Sequence, residues 1–294
     1  MAEYCIGTAQ FGMKYGIANK LGIPSFNEVE KIVKYSTKKN IKYFDTAQSY
    51  GNSEEILGKA LRGIKEIEKV KIISKLSPDL INGSSAEIVD SVKKSTSRLN
   101  VSSLYGFLAH RIEHLNTNSF IKALNILKKE KLIKKSGISV YTPEEALKAM
   151  ENEETEILQF PLNILDKRWF NKNVFLKAEE KNIQIFFRSI FLQGLIFLNE
   201  SELNRRKMSW AKPYLNKFHH LVDSLPYNPI ELSYGLLKNI PGNNIIIMGL
   251  DSFSQLFENM KVLDKIEIDS KVSKEWWSKL PTFPEKFLNP ALWN

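Results

Sequence analysis

The chain of 294 residues contains one cysteine, Cys5, and four histidines. A single cysteine excludes a disulfide bond within the chain and is typical of proteins in a reducing compartment. Cys5 lies in the first apolar segment, where a small buried hydrophobic side chain is a better interpretation than a nucleophile. His219 and His220 have no cysteine or carboxylate at the spacing of a metal site, so no metal ion is predicted.

Long apolar segments are also missing. No run approaches the roughly 20 residues that cross a bilayer. The first residues, Met-Ala-Glu-Tyr-Cys-Ile-Gly, lack the charged-then-apolar order of a signal peptide. We therefore expect a cytoplasmic protein with no membrane association, and its 43% hydrophobic and 26% charged residues are ordinary for a globular chain.

Positive charge is in excess but is not concentrated. The formal net charge is +9, yet the lysines alternate with glutamates, as in Glu28–Lys34 and Lys128–Lys131. That pattern is typical of a solvated helix face. Nucleic-acid binding would require a basic patch, so it is not expected. The excess charge better suits an anionic substrate or cofactor.

Eight short apolar segments recur along the chain, separated by amphipathic segments. They are rich in β-branched and aromatic residues, too short for helices and bounded by turn residues, which indicates strands. The predicted strands are residues 4–9, 41–44, 71–74, 104–108, 135–140, 156–160, 183–187 and 244–248.

Helix starts are predicted between these strands from capping residues. The capping positions are Asn27, Ser53, Ser84 or Ser85, Thr142 and Ser252. Alternation of eight strands with helices favours a closed parallel barrel over an open sheet.

The predicted fold is α/β: a single-domain (β/α)8 TIM barrel over residues 1–294. The segment Gly7–Gly12 lacks the G-x-G-x-x-G spacing of an open dinucleotide-binding sheet. Residues 199–225 form a long insertion after the seventh strand. Residues 269–294 form a Trp- and Pro-rich tail that packs over the barrel or closes its mouth.

Four polar side chains lie at or just after strand ends. Asp45 ends the second predicted strand, Tyr50 follows in the next loop, and Lys75 and His110 end the third and fourth. The carboxyl ends of barrel strands share one face, so these groups should converge. A tyrosine has a pKa near 10, and a neighbouring ammonium lowers it. We expect Tyr50 to exchange a proton with a substrate oxygen, Lys75 to lower its pKa, Asp45 to hold Lys75, and His110 to orient the substrate.

Each residue also has an ordinary structural interpretation. Asp45 can cap a turn, Tyr50 can be a surface phenol, Lys75 a solvated strand end and His110 a core histidine. Their shared placement at strand ends is what these interpretations leave unexplained. A different chemistry is also open, in which Lys75 forms a Schiff base and the protein is a lyase.

The chain resembles the aldo-keto reductases from about Gly7 to Asn259. The residues that carry the resemblance are Gly7-Thr8, Phe11-Gly12, the set Asp45, Tyr50, Lys75 and His110, Gly51-x-Ser53-Glu54-x-x-Leu57-Gly58, Gly137-Ile-Ser139, Gln159-Phe-Pro-Leu-Asn163, Ser189 through Gly194-Leu195, and Gly249-x-x-Ser252-x-x-Gln255-x-x-Glu258-Asn259. The resemblance implies a TIM barrel, a nicotinamide cofactor bound without a Rossmann motif, and reversible carbonyl reduction. A regulatory or sensor subunit that binds NADP with little turnover is the alternative within this fold.

The resemblance also implies cofactor contacts. Ser139 and Gln159 match positions that hold the nicotinamide carboxamide, and the loop from Ser189 matches the one that wraps the pyrophosphate. The implied cofactor-binding residues are Gly7, Thr8, Asp45, Ser139, Gln159, Arg188, Ser189, Phe191, Gln193, Leu195, Gly249, Asp251, Ser252, Gln255, Glu258 and Asn259.

Three departures from the family pattern affect this expectation. Val140 stands where the family often has Asn, and Arg188 replaces a ring-stacking tyrosine; a guanidinium can also stack, but it adds charge. Gly249, Leu250, Asp251 and Gln255 stand where the family places basic residues on the 2′-phosphate. Asp251 would repel a phosphate and could accept from a free 2′-hydroxyl. Both NADP(H) and NAD(H) therefore stay candidates, with a reduced penalty for NADH.

The expected substrate pocket uses the first loops and the insertion after Gln193. Its predicted residues are Gln10, Phe11, Tyr15, Gln48, Tyr50 and His110. The polar Gln10 and Gln48, with the basic net charge, indicate a sugar-like or anionic carbonyl compound. The sequence of residues 188–194 resembles that of bacterial aldo-keto reductases associated with surface-sugar pathways.

Overall fold

The computed structural model describes residues 3–293. Residues 1, 2 and 294, which the predicted domain includes, lie outside the described part. The eight strands are parallel and close into a barrel in sequence order. They are β1 (Glu3–Gly7), β2 (Tyr43–Asp45), β3 (Lys71–Lys75), β4 (Leu104–Ala109), β5 (Ile133–Ser139), β6 (Ile157–Pro161), β7 (Gln184–Arg188) and β8 (Asn244–Gly249).

Barrel closure rests on β1, which pairs with β2 on one side and β8 on the other. All eight predicted strands are confirmed, with ends shifted by a few residues, and so is the barrel class. Asp45 is itself the last residue of β2, and its backbone pairs with Gly7 at the end of β1. The polar residues named above therefore start from neighbouring strands at one face of the barrel.

Helices surround the barrel, and none in the described part of the chain is long and apolar enough to cross a membrane. The α-helices are α1 (Ala9–Gly12), α2 (Phe26–Lys38), α3 (Ser53–Leu61), α4 (Ser85–Leu99), α5 (Asn118–Lys129), α6 (Pro143–Ala149), α7 (Arg168–Asn171), α8 (Val174–Glu180), α9 (Glu200–Arg205), α10 (Lys212–Asp223), α11 (Pro229–Lys238), α12 (Phe253–Leu263), α13 (Ser270–Lys279) and α14 (Glu285–Leu288).

Three predicted caps are confirmed. The side chains of Ser84, Thr142 and Ser252 each accept a hydrogen bond from the backbone N–H three residues later, and Ser84 forms a full capping box with Glu87. These contacts satisfy N–H groups that a helix start leaves without an internal partner.

Two predicted caps are wrong. Helix α2 is capped by Ser25, whose backbone is extended and whose hydroxyl accepts from Glu28 N, so Asn27 lies inside the helix. Ser53 is the first helical residue of α3 rather than its cap. Its hydroxyl instead donates to the Thr8 backbone oxygen at 2.7 Å, which ties α3 to the end of β1.

The barrel interior holds a cluster of buried apolar side chains, and a larger core lies between the strands and the helices. Cys5 is fully buried inside the barrel. Burial raises the pKa of its thiol well above the usual value, which confirms the interpretation as a packed hydrophobic side chain.

The insertion after β7 contains α9 and α10, and the tail contains α13 and α14. The tail packs beside the segment that follows β6: Trp276 Nε1 donates to the Ile164 oxygen at 2.8 Å, and the ring of Trp277 lies 4.2 Å from that of Phe170. The expected packing of the tail over the barrel is confirmed. The described tail residues do not line the cavity at the barrel mouth.

Candidate active site

A cavity of about 510 Å³ opens at the carboxyl ends of the strands. Its wall runs from Asp45 and Tyr50, across the loop after β7, to Gly249 and Asn259 on the side of β8 and α12. The volume lies within the range of about 300–1,000 Å³ found for small-molecule pockets. The position matches the face where barrels of this kind place their ligands.

Asp45 and Lys75 form a buried ion pair beneath the cavity. Lys75 is 1% exposed and Asp45 5% exposed. Lys75 Nζ lies 2.7 and 2.8 Å from the two carboxylate oxygens of Asp45, and 2.8 Å from the Thr46 oxygen. Gln159 Nε2 donates to the same carboxylate at 2.7 Å. Each charge has its partners, as burial requires.

Tyr50 is positioned by a glycine contact between the first two loops. A Cβ added to Gly12 would lie 2.0 Å from the Tyr50 carbonyl oxygen, and one added to Gly51 would lie 2.4 Å from the Gly12 oxygen. Gly51 also has a φ of 56°. These glycines let the Tyr50 turn pack directly on α1, because any other side chain would push the turn away.

The four residues that the sequence predicts for catalysis come together. Lys75 Nζ lies 4.9 Å from the centre of the Tyr50 ring. The His110 ring centre is 6.3 Å from that of Tyr50, and the two planes are nearly perpendicular at 83°. An acid, a phenol, an ammonium and an imidazole therefore occupy one corner of the barrel mouth.

The expectation that Lys75 lowers the pKa of Tyr50 is wrong for this structure. Desolvation by the surrounding protein raises the pKa of the Tyr50 phenol, the Asp45 carboxylate raises it further, and the Arg188 guanidinium opposes both. The charge of Lys75 is already balanced by Asp45, so it does little for a phenolate. Tyr50 is therefore protonated at neutral pH.

His110 is a neutral imidazole. Burial lowers its pKa to about 3, and the charges of Lys75 and Arg188 act in the same direction. Among the described residues its Nδ1 atom is buried without a hydrogen-bond partner. A neutral imidazole has one donor and one acceptor nitrogen, so His110 can offer a hydrogen bond without bringing a charge.

The carboxamide positions that the resemblance implies lie next to the ion pair. Ser139 and Gln159 are register partners at the ends of β5 and β6, and both are buried. The Gln159 amide donates to Asp45, while its oxygen has no partner among the described residues. A buried unpaired acceptor is costly and is available to an amide N–H of a ligand.

The loop after β7 has a conformation that is unusual for its sequence. Ser189, Leu192 and Gln193 have φ values of 57°, 48° and 53°, and Gly194 has 86°. Left-handed residues other than glycine are costly, and they cluster at ligand sites. Turns of this kind can direct backbone N–H groups at an anion. Ser189 and Gln193 line the cavity.

This loop touches the loop after β1. Ala18 N donates to the Gln193 oxygen at 3.3 Å, and Gln193 Nε2 donates to the Tyr15 hydroxyl at 3.2 Å. Lys20 pairs with Glu202 of α9 at 2.5 Å. We call these contacts the rim bridge, and they join the loop after β1 to the loop after β7 and to α9 at the edge of the cavity.

The far end of the cavity is formed by β8 and α12. Gly249, Asp251, Gln255, Glu258 and Asn259 line it. Burial raises the pKa of the Asp251 carboxyl above its usual value, while hydrogen bonds from Gln255 and Gln10 oppose the rise. The backbone N–H of Asp251 also donates to Gln255 Oε1 at 2.8 Å.

Lys75, His110, Ser139 and Gln159 do not line the cavity wall, and neither do four other predicted site residues. Phe11 and Leu195 are fully buried in the core, and Ser252 caps α12. Gln48 is turned toward α4, where its amide donates to Ser91 and Ser95 at 3.1 Å each. The structure therefore does not bring Gln48 to the cavity.

Two other residues predicted for the substrate pocket, Tyr15 and Gln10, do line the cavity. Tyr15 lines the cavity near the rim bridge. Gln10 also lines it, but its side chain lies beside Gly249 and Asp251 rather than beside Tyr50. Gln10 was predicted to contact the substrate, but its side chain lies at the end of the cavity formed by β8 and α12.

Several residues in or beside the cavity are not predicted from the sequence. Tyr141 stacks under Arg188, with the guanidinium carbon 4.4 Å from the ring centre. Lys20, Phe197 and Glu202 line the wall. They belong to loops and to the insertion, where no periodic pattern marks them, and only the contact between two distant loops brings them together.

Part of the family motif around Tyr50 serves packing. Glu54 accepts from Ser74 at 2.6 Å and pairs with Arg98 at 2.5 Å. A Cβ on Gly58 would lie 2.1 Å from the Arg98 oxygen. These residues fasten α3 to β3 and α4, which holds the strand end that carries Lys75.

The described residues do not form a cluster of metal ligands. No group of three or more His, Cys, Asp or Glu side chains within residues 3–293 could hold a metal ion.

Comparisons with known proteins agree with this geometry. The model of the aldo/keto reductase family matches residues 3–280. No curated protein sequence gives a significant match.

Similar solved structures are bacterial. A protein described as an aldo-keto reductase from Pseudomonas aeruginosa is 23% identical, with a TM-score of 0.64 over 88% of each chain. The thermostable aldo-keto reductase Tm1743, solved with the inhibitor epalrestat, is 19% identical, with a TM-score of 0.68 over 95% of each chain. Aldo-keto reductase AKR11C1 from Bacillus halodurans is 20% identical, with a TM-score of 0.72 over 97% of this chain and 95% of its own. At these identities the likeness shows the fold, and the family match over nearly the whole chain goes further: the chain belongs to the aldo/keto reductase family, whose members use nicotinamide cofactors and act on small carbonyl compounds.

Proposed function

We propose that this protein is an NAD(P)H-dependent carbonyl reductase in which Tyr50 is the proton donor. The observation that carries the proposal is that Lys75 and His110 lie beside Asp45 and Tyr50, which line a cavity of about 510 Å³. In the reaction, a carbonyl oxygen gains charge as the carbon is reduced. A positioned acid that supplies a proton to that oxygen lowers the barrier.

Tyr50 suits this role as a neutral phenol. Its raised pKa keeps the proton on the phenol at neutral pH. The oxygen of a reduced carbonyl is a stronger base than a phenolate, so transfer from Tyr50 is still downhill. Once the proton has left, the positive charge of Arg188 favours the phenolate.

His110 and the ion pair have supporting roles. His110, neutral above about pH 3, hydrogen-bonds the carbonyl oxygen and orients it toward Tyr50. Lys75 and Asp45 hold each other at the ends of β2 and β3, which fixes the floor beneath Tyr50.

The residues present fit a nicotinamide dinucleotide, which would supply the hydride when bound. The free oxygen of Gln159, with Ser139 beside it, would hold the carboxamide. The left-handed loop from Ser189 would hold the pyrophosphate through backbone N–H groups. Asp251 at the far end disfavours a 2′-phosphate, so we propose that NADH is accepted with little penalty relative to NADPH.

The Schiff-base alternative is disfavoured by the surroundings of Lys75. An ammonium has three N–H groups, and the Asp45 and Thr46 oxygens accept all of them. A lysine nucleophile must be a neutral amine with access to its substrate. Lys75, 1% exposed and held by a carboxylate, has neither property.

The test is Tyr50→Phe, measured by the loss of NAD(P)H absorbance over a panel of aldehydes and ketones. Removing the donor should lower kcat/KM by about 10²- to 10⁴-fold while cofactor binding is kept. Tyr227→Phe, a half-buried tyrosine outside the cavity, is the matched control and should be near wild type. A near-normal rate in Tyr50→Phe would show that another group donates the proton. Complete inactivity of the wild type with tight cofactor binding would favour the sensor alternative.

A further inference from the structure

Arg188 ends β7 and lines the same cavity as Tyr50. Its guanidinium is held in place from two sides. The plane stacks on the Tyr141 ring at 4.4 Å, and Nη2 donates to the Val140 oxygen at 3.2 Å. A half-buried guanidinium fixed in this way keeps its other N–H groups available to the cavity.

No carboxylate of the described residues forms an ion pair with Arg188. The other cations near the cavity are paired, Lys75 with Asp45 and Lys20 with Glu202. Within residues 3–293, Arg188 is therefore the cavity cation that lacks an acidic partner. A partly buried charge without a partner is costly, so its presence needs an explanation.

The position of this charge is at the reacting end of the cavity. Burial raises the pKa of the Tyr50 and Tyr15 phenols and the charge of Arg188 opposes that rise, while at His110 burial lowers the pKa of the imidazole and the charge of Arg188 adds to the fall. Arg188 and Tyr50 line the same cavity, so an anion bound to Arg188 would share that cavity with a carbonyl held at Tyr50.

We propose that Arg188 binds a carboxylate of the substrate, so that the protein reduces carbonyl compounds that also carry a carboxylate. This inference rests on the proposed function. A guanidinium presents a planar fork that matches a carboxylate with two parallel hydrogen bonds. One unpaired positive charge balances one carboxylate, whereas a phosphate ester with about two negative charges would require a second cation.

The test compares substrates that differ only in the carboxylate. Succinic semialdehyde and butanal form one pair, and glyoxylate and acetaldehyde form a shorter one, which tests two distances between the carbonyl and the anion. The wild type should prefer the acid of at least one pair. Arg188→Met should lower the ratio of kcat/KM for that acid to kcat/KM for its neutral partner by about 10- to 100-fold, as expected for lost hydrogen bonds to a charged group, whatever its effect on the rate common to both.

Two further variants sharpen the result. Arg188→Lys keeps the charge and loses the fork, so its preference should fall between the wild type and Arg188→Met. Lys212→Met removes an exposed cation from α10, outside the cavity, and should keep the wild-type preference.

Binding provides a readout that does not depend on turnover. Benzoate should bind the cofactor-free wild type more tightly than benzamide, measured by ligand-observed NMR, and Arg188→Met should remove the difference. If benzoate binds in this way but no aldehyde is reduced, the proposed function fails and the anion site stands. If the wild type shows no preference for the acids, or if Arg188→Met weakens NAD(P)H binding and both members of a pair equally, the proposal is overturned.

Discussion

Lys75 uses its whole hydrogen-bonding capacity inside the protein. Its ammonium is surrounded by both oxygens of Asp45 and by the oxygen of Thr46. At the scale of single residues, Lys75 therefore acts by fixing its neighbours rather than by touching a ligand. Removal of one member of such a pair leaves the other charge buried without compensation.

The first residue-scale prediction concerns this pair. Lys75→Met should lower the free energy of unfolding by about 3–5 kcal/mol, because Asp45 would be left buried and unpaired. Asp45→Asn added to Lys75→Met should restore part of the loss. Urea denaturation of the two variants measures both effects, and the exposed Lys212→Met should differ from the wild type by less than about 0.5 kcal/mol. If Lys75→Met lowers the free energy of unfolding as little as Lys212→Met does, the Asp45–Lys75 pair is not buried in solution.

The second residue-scale prediction concerns His110 and pH. In the unfolded chain a histidine has a pKa of about 6.5, while the folded His110 has one of about 3. Between these values the unfolded state binds more protons, so the free energy of unfolding falls as the pH falls. The slope from this group is at most about 1.4 kcal/mol per pH unit. His110→Asn should reduce the slope between about pH 6 and 4 in urea denaturation, and an unchanged slope would contradict the depressed pKa.

The sequence predicts the composition of this corner but not its electrostatics. Asp45, Lys75 and His110 could be named because strand ends of a parallel barrel meet. The pKa of Tyr50 could not, since desolvation depends on how the loops close over the phenol. Gln48 was assigned to the substrate because nothing in the sequence shows that Ser91 and Ser95 lie beside it.

At the scale of elements, the loop after β7 is the least regular part of the site. Gly194 has a φ of 86°, and a Cβ added there would lie 2.4 Å from the Ala18 Cβ on the opposite loop. The glycine therefore permits both the turn and the close contact of the two loops. The cap errors belong to the same scale: Ser25 and Asn27 both suit a helix start, and the backbone conformation of residue 25 decides between them.

The element-scale prediction is that Gly194→Ala weakens NAD(P)H binding and lowers stability by about 1 kcal/mol or more, because the added methyl group meets both strain and a clash. Cofactor fluorescence titration and thermal unfolding measure the two effects. Gly63→Ala is the control, since its nearest neighbour would be the flexible end of Lys34 at 3.6 Å. Equal effects of the two changes would argue against a special role for Gly194.

For the whole molecule, the alternation of eight strands with helices was enough to predict closure and hence the face of the cavity. Each strand contains apolar residues that must be buried in the barrel or against the helices, so the positions of the strands can be predicted from the sequence. The wall of the cavity is less predictable. The insertion contributes Glu202 through α9, and the sequence alone does not show which face of the barrel α9 covers.

The whole-molecule prediction is that nicotinamide dinucleotides stabilise the fold. At a concentration of about 100 times Kd, a ligand adds about 2.7 kcal/mol to the free energy of unfolding. A rise in Tm of several degrees should follow for NADPH and NADH alike, since Asp251 occupies a position at which the family resemblance implies basic residues for a 2′-phosphate. Thermal unfolding with each dinucleotide measures this, with free adenine as a control. A shift with NADPH and none with NADH would refute the argument from Asp251.

The rim bridge has a kinetic consequence. Ala18 and Gln193 are hydrogen-bonded across the mouth, and Lys20 and Glu202 are paired beside them. We expect that an elongated molecule such as a dinucleotide binds along the full cavity only after these contacts part. Entry should then proceed in two stages, a rapid encounter followed by a slower opening whose rate no longer increases once the encounter is saturated. Departure would pass the same contacts in reverse, so weakening the Lys20–Glu202 pair should speed both entry and release of the dinucleotide.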